Sequence, residues 1–224
     1  MLSIRLPFRV LSAIVGWSAL ALQLYLLIVI NMEKGLPAIV GVMKFFDYFT
    51  ILSNILVATV FAIVGSQRYA DGFFAHPKVK TGVGVYIFIT GIVYFLILRH
   101  TWNPTGLSWL ADVILHYVMP GLYLIEWLFF TPKSYLRWND ALRWLVFPLG
   151  FAAWALFWGA IFGFYPYPFI DVTKLGYPQV LLNSVLMAIG FLTVGLLLVV
   201  IDRVLGRNAQ ITALRDPSSV RSLR

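Results

Sequence analysis

Residues 180–201 read VLLNSVLMAIGFLTVGLLLVVI, a run of 22 residues without a charged side chain. A helix needs about 20 apolar residues to cross the hydrocarbon core of a membrane. The run is continuous and lacks the alternation of polar and apolar residues that is typical of a barrel strand. This stretch therefore predicts a membrane-spanning helix.

Five further stretches have a similar apolar character. Of the 224 residues, 61% are apolar and only 12% are charged, whereas about a quarter of a soluble domain is charged. So few charges cannot cover the surface of a soluble protein. The sequence predicts an all-α polytopic membrane protein whose single domain, 1–207, contains six transmembrane helices and precedes a basic cytoplasmic tail, 208–224. The predicted spans lie at about 8–30, 45–64, 83–98, 107–130, 141–164 and 180–201.

The basic residues are unevenly divided between the two ends of the predicted spans. The chain has 17 Lys and Arg against 9 Asp and Glu, a formal charge of +8. Of the 17, 13 fall at the N-terminus, in the loops after spans two and four, and in the tail, with Lys80 counted as a loop residue. The positive-inside rule then predicts that both termini are cytoplasmic. Membrane topology explains the positive charge, so we expect membrane lipids and no nucleic acid as partners.

Polar side chains cluster near the outer ends of three spans. An ionisable group inside a span is energetically costly and marks a functional candidate. Asp112 and His116 in span four are four residues apart and share one helix face. In span two, Asp47, Thr50 and Asn54 have the spacing of one face as well.

Polar residues of three spans are expected at similar depths in the membrane. At 1.5 Å per residue, Thr50, His116 and Asn183 lie roughly 8–14 Å below the outer surface, which predicts one outward-facing polar pocket. Each residue also has a purely structural interpretation, because hydroxyl and imidazole groups in spans often hydrogen-bond to their own or a neighbouring helix. Glu126 lies near the cytoplasmic boundary, where we expect a solvated carboxylate with no catalytic role.

These residue types suit acyl-transfer chemistry. The hydroxyl of Thr50 is a weak nucleophile that needs an adjacent base, and the imidazole of His116 can take its proton and return it to a leaving group. A carboxylate on the second ring nitrogen would orient the imidazole, and amide donors would stabilise an oxyanion. The candidates for these supporting roles are Asp47, Asn54, Asp112 and Asn183.

No cofactor or metal site is predicted. The chain has no cysteine, which excludes disulfides, iron–sulfur clusters and Cys-zinc sites. The three histidines, His76, His100 and His116, lack the HxxxH and HExxH spacings of metal ligands. A site shared by His100 and His116 with Asp47 or Asp112 is a minor alternative.

Three short motifs occur in a characteristic order. DYFTILSN occupies residues 47–54, HYVMP residues 116–120 with Glu126 soon after, and YPYPF residues 165–169. In their order, spacing and topology they resemble the androgen-induced, ADTRP-like family of transmembrane threonine hydrolases. The NPTG turn at 103–106 looks like the bacterial branch of that family. The resemblance extends from span two to the loop before span six.

The resemblance implies an intramembrane esterase. By position in the motifs it implies Thr50 as the nucleophile and His116 as the base, and it assigns no role to Asp112. The known substrates of the family are fatty acid esters of hydroxy fatty acids, so an acyl ester of a lipid is the implied substrate. The bacterial character and the charge bias predict a multi-pass protein of the cytoplasmic (inner) membrane.

Two other function classes fit the same residues. In a proton-coupled transporter or a lipid-binding protein without catalysis, Asp47, Asp112 and His116 would relay protons or bind a headgroup. The chain could also be an inactive structural partner in a complex. The hydrolase hypothesis predicts that Thr50 is essential, whereas the others predict that it is dispensable.

Overall fold

The computed structural model describes residues 2–66 and 72–215. Every regular element within these ranges is helical, which confirms the all-α prediction. The α-helices are α1 (Leu2–Glu33), α2 (Ala38–Phe46), α3 (Phe49–Gly65), α4 (Pro77–Leu96), α5 (Gly106–Val113), α6 (Met119–Ile125), α7 (Trp138–Arg143), α8 (Val146–Phe162) and α9 (Val172–Arg215). Single π-helical turns follow α5 (Ile114–Val118) and α6 (Glu126–Phe130), and 3-10 turns occur at Phe73–Ala75, Leu98–His100 and Pro168–Ile170.

Five helical stretches of the described residues are long and apolar enough to cross a membrane. They are Ile4–Glu33, Pro77–His100, Gly106–Phe130, Trp138–Phe162 and Val172–Arg207. The pair α2 and α3 makes a sixth crossing if it counts as one bent span. The architecture is therefore that of a multi-pass membrane protein with five or six crossings, and the cytoplasmic orientation of both termini stays a prediction.

The predicted second span, 45–64, is not a straight helix. The axes of α2 and α3 are bent by 73°, and Tyr48 between them is extended, with φ −94° and ψ 124°. Asp47 therefore precedes α3 and does not share a helical face with Thr50 and Asn54, as its spacing had suggested.

Helix α2 packs closely against α1. The chain leaves α1 through Gly35, whose φ of +73° is a left-handed conformation that glycine adopts at little cost. A Cβ atom on Gly41 would lie only 2.6 Å from the Cα of Ile28. Glycine at position 41 thus lets the two helix backbones touch.

Three other span boundaries differ from the sequence prediction. Helix α4 begins at Pro77, six residues before the predicted start of span three. The fifth span is interrupted between α7 and α8. Helix α9 continues to Arg215, so residues 208–215 of the predicted tail are helical, and residues 216–224 lie outside the described residues.

Helix α4 lies at the centre of the bundle. In its most apolar stretch 56% of the residues are buried, against 17–33% in the other four long spans. It packs against α3, α6 and α9. This position lets α4 contact both the helix that contains Thr50 and the segment that contains His116.

Glu126 anchors the segment Gly106–Phe130 to two other helices. Its side chain is fully buried and accepts hydrogen bonds from Arg9 of α1 at 2.9 and 3.0 Å and from Lys80 of α4 at 2.5 Å. The interpretation of Glu126 as a solvated carboxylate is therefore wrong. Lys80, counted above as a loop residue, is only 2% exposed. Burial of these charges is tolerated because each cation is hydrogen-bonded to the carboxylate of Glu126.

We expect Glu126→Gln to lower the free energy of unfolding by about 3–5 kcal/mol, because Arg9 and Lys80 would stay buried without their counter-charge. Thermal unfolding in detergent measures the loss. Glu33→Gln is the matched control, since Glu33 is exposed at the end of α1. Equal stability of the two variants would contradict a stabilising role for the buried ion pairs.

Candidate functional site

The structure brings Thr50 and His116 together. Thr50 lies in the first turn of α3, and His116 lies in the π-helical turn after α5. The Oγ1 atom of Thr50 is 3.3 Å from Nε2 of His116, which is within hydrogen-bonding range for these two side chains. Thr50 is only 7% exposed, so the contact is largely shielded from the surroundings.

The second ring nitrogen of His116 faces Asp112. Nδ1 is 3.0 Å from the backbone carbonyl oxygen of Asp112 and 3.3 Å from its Oδ1. Both partners are acceptors, so the hydrogen of a neutral imidazole belongs on Nδ1 and the lone pair of Nε2 points to Thr50. The contact joins α5, which contains Asp112, to the π-helical turn that contains His116, where Met119 N–H pairs with the Ile114 carbonyl five residues back. Such turns are frequent at functional sites.

Tyr94 of α4 fixes this arrangement from a second helix. Its hydroxyl donates to Oδ2 of Asp112, and its ring stacks on the imidazole of His116 with centroids 3.9 Å apart and planes 18° from parallel. One carboxylate oxygen of Asp112 therefore contacts His116 and the other contacts Tyr94. The ring of Tyr94 covers one face of the imidazole. Tyr94 has no sequence signal for this role, because a tyrosine near the end of a span is normally an interface residue.

Tyr167 accepts a hydrogen bond from the first turn of the helix that contains Thr50. The first N–H groups of any helix lack partners within the helix, and the N–H of Thr50 donates to the hydroxyl oxygen of Tyr167 at 3.2 Å. Tyr167 is 7% exposed and lies in the loop between α8 and α9. Burial raises the pKa of Tyr167, although hydrogen bonds from Thr50 and Phe49 oppose the effect. The phenol therefore keeps its proton at neutral pH and can donate it to a ligand.

The loop of Tyr167 is held by contacts along the motif at 165–169. The rings of Tyr167 and Phe169 stack with centroids 5.3 Å apart. The side-chain amide of Asn183 donates to the Phe169 carbonyl at 2.8 Å. Tyr165 lies directly on Gly159, where a Cβ atom would be 2.1 Å from its ring. Asn183 thus stabilises the loop and is not placed beside Thr50 as an oxyanion donor.

Asn54 links the helix of Thr50 to the segment of His116. Its amide nitrogen donates to the carbonyl oxygens of Thr50 at 2.8 Å and Leu115 at 3.1 Å. Both amide hydrogens are used in these bonds, and neither is directed at an oxyanion. The structure thus gives Asn54 a positioning role between the two helices, which differs from the donor role considered from the sequence.

Asp47 lies apart from the imidazole. Its Oδ1 accepts a hydrogen bond from the indole N–H of Trp154 in α8 at 3.0 Å. The break before α3 directs Asp47 toward that helix, so it does not orient His116. Of the four supporting residues predicted from the sequence, the structure places only Asp112 against the imidazole.

A wide cavity of about 260 Å³ opens beside His116. It lies between α1, the start of α5 and the loop of Tyr167, and Asp112 also lines it. Its other lining residues include the polar side chains Gln23, Thr101 and Ser108. This cavity therefore offers hydrogen-bonding groups next to the imidazole.

A narrow cavity of about 80 Å³ lies on the other side of Thr50. It lies between α3, α4, α8 and α9 and is lined mainly by apolar side chains, among them Ile89, Pro148, Met187 and Phe191. His116 and Asp112 line the wide cavity only. Thr50 thus lies between two cavities, of which the wide one has more polar groups.

Within residues 2–66 and 72–215 no group of three or more His, Asp or Glu side chains is placed to hold a metal ion.

No protein-family model matches this chain, and neither a curated protein nor a solved structure matches it. The resemblance to the androgen-induced hydrolases accordingly stays an expectation from the motifs. The function of the chain has to be inferred from the geometry of Thr50 and His116 and of the residues around them.

Proposed function

We propose that the chain is an intramembrane hydrolase of lipid esters in which Thr50 is the nucleophile and His116 the general base. The most direct support is the 3.3 Å approach of Thr50 Oγ1 to Nε2 of an imidazole whose Nδ1 faces Asp112. A threonine hydroxyl becomes an effective nucleophile when such a base is adjacent to it. The apolar helices and the apolar cavity beside Thr50 favour a lipid substrate.

The first half of the reaction acylates Thr50. Nε2 of His116 takes the proton as Oγ1 forms a bond to the ester carbonyl carbon, and the carboxylate of Asp112 stabilises the resulting imidazolium. The tetrahedral intermediate then expels the alkoxy oxygen, and His116 delivers the proton to it. The products of this half are a free alcohol and an acyl ester of Thr50.

The second half releases the acid. Water takes the place of the alcohol and gives a proton to His116 as it attacks the acyl carbonyl carbon. The bond to Oγ1 breaks, and the proton returns to Thr50. One water molecule is consumed for each ester, and the enzyme returns to its starting state.

Tyr167 is the residue best placed to stabilise the oxyanion. Its hydroxyl oxygen contacts the backbone N–H of Thr50, so its own proton lies close to the reacting carbonyl. Hydrogen bonds that a hydroxyl accepts strengthen the bond that it donates. A preorganised donor of this kind acts in place of the amides of Asn54 and Asn183, which are bonded to backbone carbonyls.

We expect Thr50→Val and His116→Ala each to lower the rate of lipid-ester hydrolysis at least about 10³-fold, because either change removes the nucleophile–base pair. Thr50→Ser keeps a hydroxyl and should retain measurable activity. The measurement is hydrolysis by purified protein in detergent. In parallel, fluorophosphonate labelling read by mass spectrometry should modify position 50 and should require His116.

Thr193→Val is the matched control, since Thr193 is exposed on α9 and bonds only to its own helix. Full hydrolytic activity of folded Thr50→Val would exclude Thr50 as the nucleophile, whereas absence of hydrolysis by the folded parent protein would favour the binding or transport alternative.

Asp112→Asn should reduce kcat by about 10- to 100-fold, because the charge that stabilises the imidazolium is lost. We expect a smaller effect than that of His116→Ala, since the backbone carbonyl at position 112 still accepts the Nδ1 hydrogen and preserves the tautomer. Asp47→Asn is the control, because Asp47 contacts Trp154. Equal losses in both variants would argue against a specific role for Asp112.

Tyr167→Phe should reduce kcat by about 10²- to 10³-fold with little change in KM, as removal of an oxyanion donor does. The variant also leaves the N–H of Thr50 without its acceptor, at a cost of about 1–3 kcal/mol in stability. Thermal unfolding must therefore accompany the kinetics, with Tyr165→Phe as the control from the same loop. Near-normal kcat in folded Tyr167→Phe would rule out the donor role.

A further inference from the structure

Thr50 lies at the junction of the two cavities. Thr50, Leu98 and Tyr167 line both the wide cavity and the narrow cavity. A carbonyl carbon bonded to Oγ1 of Thr50 would therefore have one substituent directed into each space. The two cavities differ in volume, polarity and access to His116.

We propose that the narrow cavity binds the fatty acyl chain of the substrate and that the wide cavity binds the alcohol part. The inference rests on the proposed hydrolase function and adds the orientation of the ester in the site.

Proton transfer sets this orientation. When the ester bond breaks, the alkoxy oxygen must receive a proton from Nε2 of His116, so it has to leave on the side of the imidazole. His116 lines only the wide cavity. The alcohol therefore occupies the wide cavity, and the acyl chain, on the other side of the carbonyl carbon, enters the narrow one.

The walls of the narrow cavity suit a hydrocarbon chain. None of its lining residues is charged. The hydroxyls of Thr90 and Ser184 face backbone carbonyls of their own helices, those of Tyr86 at 3.0 Å and Val180 at 2.8 Å. Since these hydroxyls are already bonded, an apolar chain can cover them without leaving a polar group unpaired.

The narrow cavity also reaches the surface of the bundle. Leu149 of α8 lines it and is 52% exposed. A chain too long for about 80 Å³ can therefore continue between α8 and α9 toward the surrounding lipid. The wide cavity has room for a bulkier group, with Gln23, Thr101 and Ser108 available to bind it.

Ala152 of α8 and Ala188 of α9 are the residues that should determine acyl specificity. Both line the narrow cavity, and their small side chains leave space for the chain. A phenyl ring at position 152 would fill much of that space. Ala153, the next residue, is exposed on the outer face of α8, so Ala153→Phe adds the same ring at the same depth without entering the cavity.

The first experiment measures kcat/KM for p-nitrophenyl esters from acetate to palmitate. In Ala152→Phe the preference for long chains over acetate should fall at least about tenfold, because each methylene excluded from an apolar site costs about 10- to 200-fold in kcat/KM. Ala153→Phe should retain the chain-length profile of the parent protein. If Ala152→Phe does not fold, Ala188→Phe tests the cavity from α9.

A second experiment detects binding of the acyl chain and does not depend on catalysis. A palmitic acid with a mid-chain diazirine is photo-crosslinked to the parent protein and to Thr50→Val, and the modified peptides are mapped by mass spectrometry. Crosslinks should fall on residues 148–152 or 187–191 in both proteins. They should be lost in Ala152→Phe and kept in Ala153→Phe.

Hydrolysis and crosslinking together distinguish failure of the acyl-chain site from failure of the hydrolase proposal. Crosslinks at these residues without hydrolysis of any ester would support the acyl-chain site and overturn the hydrolase proposal. Hydrolysis with an unchanged chain-length profile and unchanged crosslinks in Ala152→Phe would overturn the acyl-chain site alone. Absence of both hydrolysis and crosslinking at these residues in folded protein would overturn both proposals.

Discussion

The start of α3 inside the bundle is the constraint on which the candidate site depends. A helix that begins away from water leaves its first N–H groups in need of acceptors. Here Tyr167 supplies one to Thr50, and the ring of Phe49 is fixed beside it by edge-on contacts with Phe151 and Phe191. The need to satisfy the helix start thereby brings the loop between α8 and α9 against Thr50. The same bond places the phenol oxygen of Tyr167 3.2 Å from the backbone nitrogen of Thr50.

His116 depends on a second constraint, the register of two neighbouring helices. Helix α4 and the segment Gly106–Phe130 are joined at Lys80–Glu126 and again at Tyr94–Asp112. Lys80 and Tyr94 are 14 residues apart, and so are Asp112 and Glu126, as antiparallel helices require. At 1.5 Å per residue the two contacts are separated by about 21 Å. A slip of one helix along the other would break both, so the buried charges at one end help to hold the imidazole at the other.

The sequence predicted the parts of this structure that depend on local pattern. Apolar run length located the long spans, and the cost of burying polar groups pointed to Thr50, His116 and Asp112. The break at Tyr48 escaped prediction because apolar content is the same in a straight and a bent span. Tyr94 and Tyr167 escaped because their roles arise from contacts with other helices, which spacing along one helix cannot reveal. Lys80 was counted with the loop charges, since its buried partner, Glu126, lies 46 residues away in the chain.

The position of Thr50 between a polar and an apolar cavity constrains the order of events in the proposed reaction. Water and alcohol both need His116, and only the wide cavity reaches it. The alcohol must therefore leave before the hydrolytic water can enter, while the acyl chain stays in the narrow cavity until the second step. This order corresponds to a ping-pong mechanism with an acyl-enzyme intermediate. It also means that any second alcohol small enough for the wide cavity competes with water for the acyl group.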